Sequence, residues 1–119
     1  MLAERGGVAR ADLLQFINDS VMGSTFSRYK TPALVNLDFT PTFTGHLLRK
    51  DLQLGLEAGT HLGVPLPVAS VVYEMVTDLV EKGLGDLDFA ALIQMEAGKA
   101  GFELRSEERD VDDGLTPDP

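Results

Sequence analysis

Residues 44–62 read TGHLLRKDLQLGLEAGTHL, and the spacing of their apolar side chains indicates a helical fold. At about 100° per residue, its apolar and small residues fall on one broad arc of a helix. They are Leu47, Leu48, Leu52, Leu54, Gly55, Leu56, Ala58, Gly59 and Leu62. Gly63 and Pro65 follow, and a glycine with a nearby proline is a typical helix end. The stretch therefore predicts a helix from about Thr44 to Leu62 with its apolar arc buried.

Four further segments carry helical periodicity. They are residues 9–21, a shorter segment around 24–36 that contains Pro32, the strongly periodic segment 67–82, and a last helix that begins near Asp86 or Asp88. No segment favours a strand over a helix. We therefore predict an all-α fold, a compact bundle of about five helices in one domain, over residues 1–101. Residues 102–119 are acidic and poor in apolar side chains, which predicts a disordered tail.

The composition excludes several classes of partner. The 119 residues carry a net charge of -9 with ten Lys and Arg, so the chain lacks a basic surface for nucleic acid or anionic lipid. No apolar run is long enough for a bilayer, and the N-terminus lacks a secretory pattern, so we expect a cytoplasmic protein. The chain has no cysteine, and His46 and His61 lack companion ligands. We expect no metal site.

Two neighbouring charges, Lys50 and Asp51, interrupt the apolar helix. Lys50 lies at the border of the polar face, where a solvated lysine beside Glu57 is the simplest interpretation. Asp51 projects into the apolar arc, where an unpaired buried carboxylate would cost several kcal/mol. Its place in the first turns allows the helix dipole and a loop N–H to stabilise it.

A longer pattern around this pair resembles a known family. DFTPTFTGHLLRKDLQLGLEAGTHLGVPLPVASVVYEM, residues 38–75, is followed by GLGDLDFAALI, residues 83–93. Together they resemble the C-terminal helical domain of the β-hydroxyacid dehydrogenases, the family of 3-hydroxyisobutyrate dehydrogenase and tartronate semialdehyde reductase, among the 6-phosphogluconate dehydrogenase-like proteins. The resemblance runs from AERGG near the start to about Ala100. Its marks are an aromatic pair before the helix, Lys-Asp-Leu within it, LGVPLP after it and GLGDLDF before the last helix.

The resemblance implies a site. In that family a Rossmann domain binds NAD or NADP, and the helical domain closes the cleft. By resemblance Lys50 reaches the bound cofactor, and Phe43 forms part of the cofactor cleft, although a hydrophobic staple for the helix is an equal alternative for Phe43. Asp51 would support the helix of Lys50 by hydrogen bonds, and Ser24 would line the cleft on the substrate side.

Two parts of the family machinery are missing. No G-x-G-x-x-G fingerprint follows a strand, and neither Lys30 nor Lys50 has the glycine context of the family's general-acid lysine. We therefore expect no catalytic residue in this chain and no turnover without a Rossmann partner, with residues 1–7 as the stump of the interdomain helix.

The resemblance leaves two functions open. The first is the C-terminal half of an NAD(P)-dependent dehydrogenase that interconverts a small β-hydroxy acid and its semialdehyde. The alternative is a non-catalytic helical module for dimerisation or protein interaction. In both cases helices that normally pack on the interdomain helix would expose apolar surface, which predicts a homo-oligomer.

Overall fold

The computed structural model describes residues 1–115. Among these residues are six α-helices and no strand, so the predicted all-α fold class is confirmed. The helices are α1 (Leu2–Arg5), α2 (Arg10–Asp19), α3 (Thr25–Asn36), α4 (Gly45–Leu62), α5 (Pro67–Leu79) and α6 (Leu92–Lys99). A wide turn, Val80–Leu84, follows α5, and one 3-10 turn, Phe89–Ala91, leads into α6. Helices α2 to α6 correspond to the five predicted helices.

The chain divides into two units. One combines residues 1–38 with the described residues from 96 onward, and the other is Phe39–Met95. Helix α6 begins in the second unit and ends in the first. The predicted domain boundary at residue 101 stays a prediction.

The second unit is built on the antiparallel pair α4 and α5, whose ends are fixed by local chemistry. The hydroxyl of Thr44 accepts a hydrogen bond from the N–H of Leu47 at 3.2 Å and so caps α4. Gly63 ends α4 in the left-handed conformation with a φ of 69°, and the N–H of Val64 bonds to the carbonyl of Gly59 at 2.8 Å. Pro67 begins α5, where its missing N–H costs nothing.

The chain returns from α5 to the start of α4, and two glycines allow this close approach. A side chain added at Gly45 would lie 3.0 Å from a methyl of Leu79 and 3.4 Å from the Cα of Gly85. The N–H groups of Gly45 and His46 donate to the carbonyls of Leu87 and Gly85, at 3.1 and 3.0 Å. These bonds occupy donors that the first turn of a helix leaves free. The start of α4 is therefore fixed to residues 85–87.

The first unit contains a buried cation that no sequence pattern predicted. Arg10, at the start of α2, is 4% exposed. Its guanidinium donates to the carbonyls of Leu34 at 2.9 Å, Val35 at 3.0 Å and Arg105, and it pairs with Glu4. A buried charge is tolerated when its donors are used in this way. By contrast, Phe16 and Val21, which lie in the predicted helical pattern of this segment, are exposed.

Residues 102–115 form an irregular segment that hydrogen-bonds to α2 and α3 within the first unit. The disorder that composition predicts for residues 102–119 stays a prediction. The carboxylate of Glu107 accepts from the N–H groups of Arg10 at 2.7 Å and Ala11 at 3.1 Å. It thereby caps α2, whose own N-cap residue, Ala9, has no side-chain acceptor. Asn36 and Arg109 exchange two further bonds. The rest of the predicted tail, residues 116–119, lies outside the described residues.

Candidate functional site

The predicted apolar arc of α4 is real, but only half of it is covered. The half that is at least partly buried consists of Leu48, Leu52, Leu56 and Gly59. The other half is exposed and consists of Leu47, Leu54, Ala58 and Leu62, with Gly55 beside it. The expectation that the whole arc is buried is therefore wrong for this chain. The reason is geometric, because an arc this wide needs more than one neighbouring helix to cover it, and within its unit α4 packs mainly on α5.

Lys50 lies beside this exposed apolar strip. Its neighbours one turn away on the same side of α4 are Leu47 and Leu54, which are 46% and 54% exposed. Among the described residues, the Lys50 ammonium makes no hydrogen bond or ion pair. The Glu57 carboxylate accepts instead from Gln53 at 2.9 Å. The structure thus places an exposed lysine one turn from two exposed apolar side chains.

Asp51 is exposed, which corrects the expectation that it projects into a buried arc. Its helical position lies between Ala58 and Leu62, within the predicted apolar arc, but that half of the arc faces solvent. No burial cost therefore arises within this chain. The two charges of the Lys50–Asp51 pair stand side by side on an uncovered face.

Phe43 directly precedes the capping residue of α4, and its ring is half-buried. The ring packs edge to face on Phe89, with centroids 6.3 Å apart and an interplanar angle of 83°. Its carbonyl accepts from the N–H of Phe89 at 3.1 Å. Phe43 is thus held from the side of the last helix.

Asp88 is a site residue whose long-range role the sequence interpretation missed. It is 1% exposed, and one carboxylate oxygen, Oδ2, accepts from Thr42 N at 2.9 Å, Thr42 Oγ1 at 3.0 Å and Phe43 N at 3.2 Å. The other oxygen accepts from Ala90 N at 2.9 Å. The bond to Ala90 caps the turn that leads into α6. The available signal for the rest was the joint occurrence of the DFTPTF and GLGDLDF patterns, which this carboxylate connects.

Ser24 belongs to the first unit, whereas Phe43, Lys50 and Asp51 belong to the second. Its hydroxyl accepts from the N–H of Ser27 at 3.0 Å, and the Ser27 hydroxyl accepts from the N–H of Ser24 at 2.9 Å. This reciprocal pair is a capping box for α3. The side chain of Ser24 therefore has a structural task of its own.

Neither histidine is found in contact with Lys50. His46 is 3.6 Å from the exposed carboxylate of Asp86, and its ring covers Gly85. His61 lines an open groove of about 470 Å³ between α4 and α5. The groove is lined by Gln53, Leu56, Glu57, Thr60, His61 and Tyr73.

Within residues 1–115, no group of three or more His, Cys, Asp or Glu side chains is arranged to hold a metal ion. In the same residues no helix combines the length and apolar character needed to cross a bilayer.

The comparison with protein families gives one match over most of the chain. The family model described as NAD-binding of NADP-dependent 3-hydroxyisobutyrate dehydrogenase matches residues 1–95. These residues include α4, the Asp88 contacts and Ser24. The irregular segment 102–115 lies beyond the match.

Individual relatives give the same picture. The chain is 31% identical over 94 residues to glyoxylate/succinic semialdehyde reductase 1 of Arabidopsis thaliana. This aligned region is 79% of this chain and 32% of the relative. It is similar to the crystal structure of 3-hydroxyisobutyrate dehydrogenase from Salmonella typhimurium, with a TM-score of 0.73, 28% identity and coverage of 79% and 33%. A Mycobacterium tuberculosis 3-hydroxyisobutyrate dehydrogenase with L-serine gives a TM-score of 0.70, 26% identity and coverage of 80% and 35%. The chain thus spans about a third of the length of these relatives.

Proposed function

The chain belongs to the family of the NADP-dependent 3-hydroxyisobutyrate dehydrogenases, and from this premise we propose that it is their cleft-closing helical domain. In this proposal it contributes to NAD(P) and substrate binding in an oxidoreductase that interconverts a small β-hydroxy acid and its semialdehyde. An N-terminal Rossmann domain holds most of the cofactor. The chain alone has no turnover, because its sequence contains neither the dinucleotide fingerprint nor the family's general-acid lysine.

One observation carries the proposal, namely that Lys50 is exposed and lies one helical turn from the exposed side chains of Leu47 and Leu54. A lysine on such a surface lays its methylenes on apolar neighbours and presents its charge at the rim. Covering the strip with a second domain would remove water from around the ammonium and strengthen its attraction for an anionic or hydroxyl group. This arrangement suits a residue that acts at a domain interface.

The side chains near the start of α4 fit a dinucleotide. The Lys50 ammonium has no partner among the described residues that would have to be displaced by a phosphate, ribose hydroxyl or carboxylate. The Phe43 ring is half-buried and fixed by Phe89, so it offers a rigid apolar surface for a flat ring. When bound, NAD(P) supplies the hydride acceptor or donor of the reaction.

We assign the remaining residues supporting roles. Lys50 binds and orients the cofactor or the substrate carboxylate, and Phe43 excludes water beside it. Asp51 accepts hydrogen bonds from the covering domain and so supports the α4 surface. Ser24 lines the cleft on the substrate side, a role that its engagement in the capping box restricts to its free surface.

The substrate class follows from the chemistry that the relatives share. The Arabidopsis relative is named for glyoxylate and succinic semialdehyde, and the Mycobacterium structure is described with L-serine. Each of these molecules combines a carboxylate with an aldehyde or hydroxyl group. A small acid of this kind is therefore the proposed substrate, and a positively charged side chain at the interface suits its carboxylate.

The exposed apolar surface favours a second candidate, a dimerisation or protein-interaction module. Leu62, Val68 and Val71, at the α4–α5 end of the second unit, are 73%, 77% and 57% exposed. Apolar side chains gathered in this way commonly mark an interface. In the proposed dehydrogenase the same surface contributes to a homo-oligomer, so self-association alone does not separate the two functions.

Lys50→Ala provides the test. The chain is joined to the Rossmann domain of a relative and assayed for NAD(P)-dependent oxidation of small β-hydroxy acids. Loss of a charge-assisted hydrogen bond predicts a rise of about 10- to 100-fold in the KM of the cofactor or the acid. Lys82→Ala, at an exposed lysine beyond α5, is the matched control and leaves the KM unchanged.

Two results would count against the proposal. Turnover that is unaffected by Lys50→Ala removes the role of that residue. Absence of turnover with every Rossmann partner, together with a stable self-associated species in sedimentation, favours the interaction module.

A further inference from the structure

The carboxylate of Asp88 holds the segment that precedes α4. A buried carboxylate is rare unless donors surround it, and here backbone and hydroxyl donors approach both oxygens. The oxygen Oδ2 faces Thr42 and Phe43, and Oδ1 faces Ala90. One side chain therefore joins the loop before α4 to the turn before α6.

Backbone bonds on either side of this carboxylate strengthen the connection. The N–H of Asp88 donates to the carbonyl of Phe39 at 3.0 Å, and Thr44 and Asp88 form an isolated antiparallel bridge. The N–H of Phe43 bonds to the carboxylate and its carbonyl bonds to Phe89, so the backbone of Phe43 is fixed at both ends. Its ring is fixed as well by Phe89. Little freedom is left for Phe43 to reorient.

The same region sets the start of the helix that carries Lys50. The carbonyls of Gly85 and Leu87 accept from the first turn of α4, and Lys50 lies in the second turn. A helix is rigid over so short a distance, so the placement of its first turn largely decides where the Lys50 side chain begins. Residues 85–89 therefore control both proposed cofactor contacts.

We propose that Asp88 is a positioning residue for the cofactor-facing surface: its carboxylate sets Phe43 and the start of the Lys50 helix before the cofactor arrives. This inference rests on the proposed function, since it assigns a task to Asp88 in the same site. Preorganised groups bind more tightly because the cost of ordering them is met during folding rather than at binding.

A carboxylate suits this position because Thr42, Phe43 and Ala90 all donate to its oxygens. The amide of an asparagine has one oxygen and one NH₂ group, so its NH₂ would face either the Thr42–Phe43 donors or the N–H of Ala90. Asp88→Asn therefore keeps the size of the side chain and breaks one half of the connection. Asp86→Asn makes the same chemical change two residues away at a side chain that is 98% exposed, and serves as the matched control.

The first measurement uses the 119-residue chain without cofactor. Amide hydrogen exchange is followed by NMR at Thr42, Phe43 and Ala90 in the wild type and both asparagine variants. Asp88→Asn speeds amide exchange about tenfold or more either at Thr42 and Phe43 or at Ala90, as expected for loss of a charge-assisted hydrogen bond. Asp86→Asn leaves exchange at all three amides unchanged. Unchanged exchange in Asp88→Asn would overturn the claim that the carboxylate holds this loop.

The second measurement uses the chain joined to a Rossmann domain and separates KM from kcat. Asp88→Asn raises the KM of the cofactor by about tenfold, whereas kcat at saturating cofactor changes less than twofold, because the residue acts on placement and not on the reacting atoms. If this variant fails to fold, Thr42→Val removes only the hydroxyl donor, and the same shift appears at about two- to threefold.

Comparison with Lys50→Ala distinguishes the two levels of the proposal. If Lys50→Ala raises the cofactor KM and neither Asp88→Asn nor Thr42→Val does, the proposed function stands and Asp88 is structural only. If none of the three variants alters the KM of the cofactor or of the acid, the proposed function fails and the positioning role fails with it.

Discussion

Two glycines in α4, one turn apart, give opposite predictions for the same substitution. A methyl group at Gly55 would meet no atom within 4 Å. A methyl group at Gly59 would lie 2.7 Å from a methyl of Leu66 and 2.9 Å from the carbonyl oxygen of Val64. Gly59 is therefore required by the close approach of the loop after α4, whereas Gly55 has no such constraint within the chain.

The magnitudes follow from these contacts. Alanine is favoured over glycine in a helix interior by about 1 kcal/mol, so Gly55→Ala stabilises the chain by roughly that amount. Gly59→Ala gains the same term but adds overpacking that costs about 1–3 kcal/mol. The Leu66 side chain can rotate away, but the Val64 carbonyl belongs to the backbone and moves only with the loop. Gly59→Ala is thus neutral to destabilising by about 2 kcal/mol, and the two variants differ by about 1–3 kcal/mol.

Thermal unfolding of the 119-residue chain, followed by circular dichroism, measures this difference. For a small domain 1 kcal/mol corresponds to about 4–8 °C, so the two Tm values separate by at least about 4 °C, with Gly55→Ala above the wild type. Equal stabilisation by both substitutions would refute the argument, because it would mean that residues 64–66 do not press against α4.

Other substitutions test the first unit. Glu107→Gln leaves one of two N–H groups of α2 without an acceptor, because each of them bonds to a different carboxylate oxygen, and so lowers the free energy of unfolding by about 1–2 kcal/mol. Glu108→Gln, at its exposed neighbour, changes the free energy of unfolding by less than about 0.5 kcal/mol. Urea unfolding compares the two, and equal effects would show that Glu107 does not cap α2. Ser24→Ala removes one half of the capping box of α3 and costs about 1 kcal/mol. Thr25→Ala is its control, and faster amide exchange at Ser27 in Ser24→Ala alone is the expected signature.

The helix ends were predictable because the residues that set them act locally. Thr44 caps its own helix through Leu47, Gly63 takes up the left-handed conformation that a side chain disfavours, and Pro67 starts α5. Each signal needs only three or four neighbouring residues to be recognised. The all-α class and the order of the helices followed from such signals together with the periodicity of α4 and α5.

Burial was harder to predict because it depends on what covers a face. The α4 arc contains enough apolar residues for two neighbours, and periodicity does not tell which half α5 takes. Two further features depend on partners far apart in the sequence: Asp88 reaches Thr42 across 46 positions, and Glu107 reaches Arg10 across 97. No local pattern marks such pairs. For the candidate site, the resemblance pointed to Lys50 and Phe43, whereas the carboxylate beneath Phe43 became visible only in the folded chain.

The exposed position of Asp51 has a consequence for whatever surface comes to lie on α4. An apolar surface by itself can pack against many protein surfaces of similar shape, including those of wrong partners. A partner surface without a hydrogen-bond donor opposite the Asp51 carboxylate would bury this charge unpaired, at a cost of several kcal/mol. A partner surface that supplies a donor avoids that cost. A single exposed acidic side chain therefore makes this apolar surface selective for its partner.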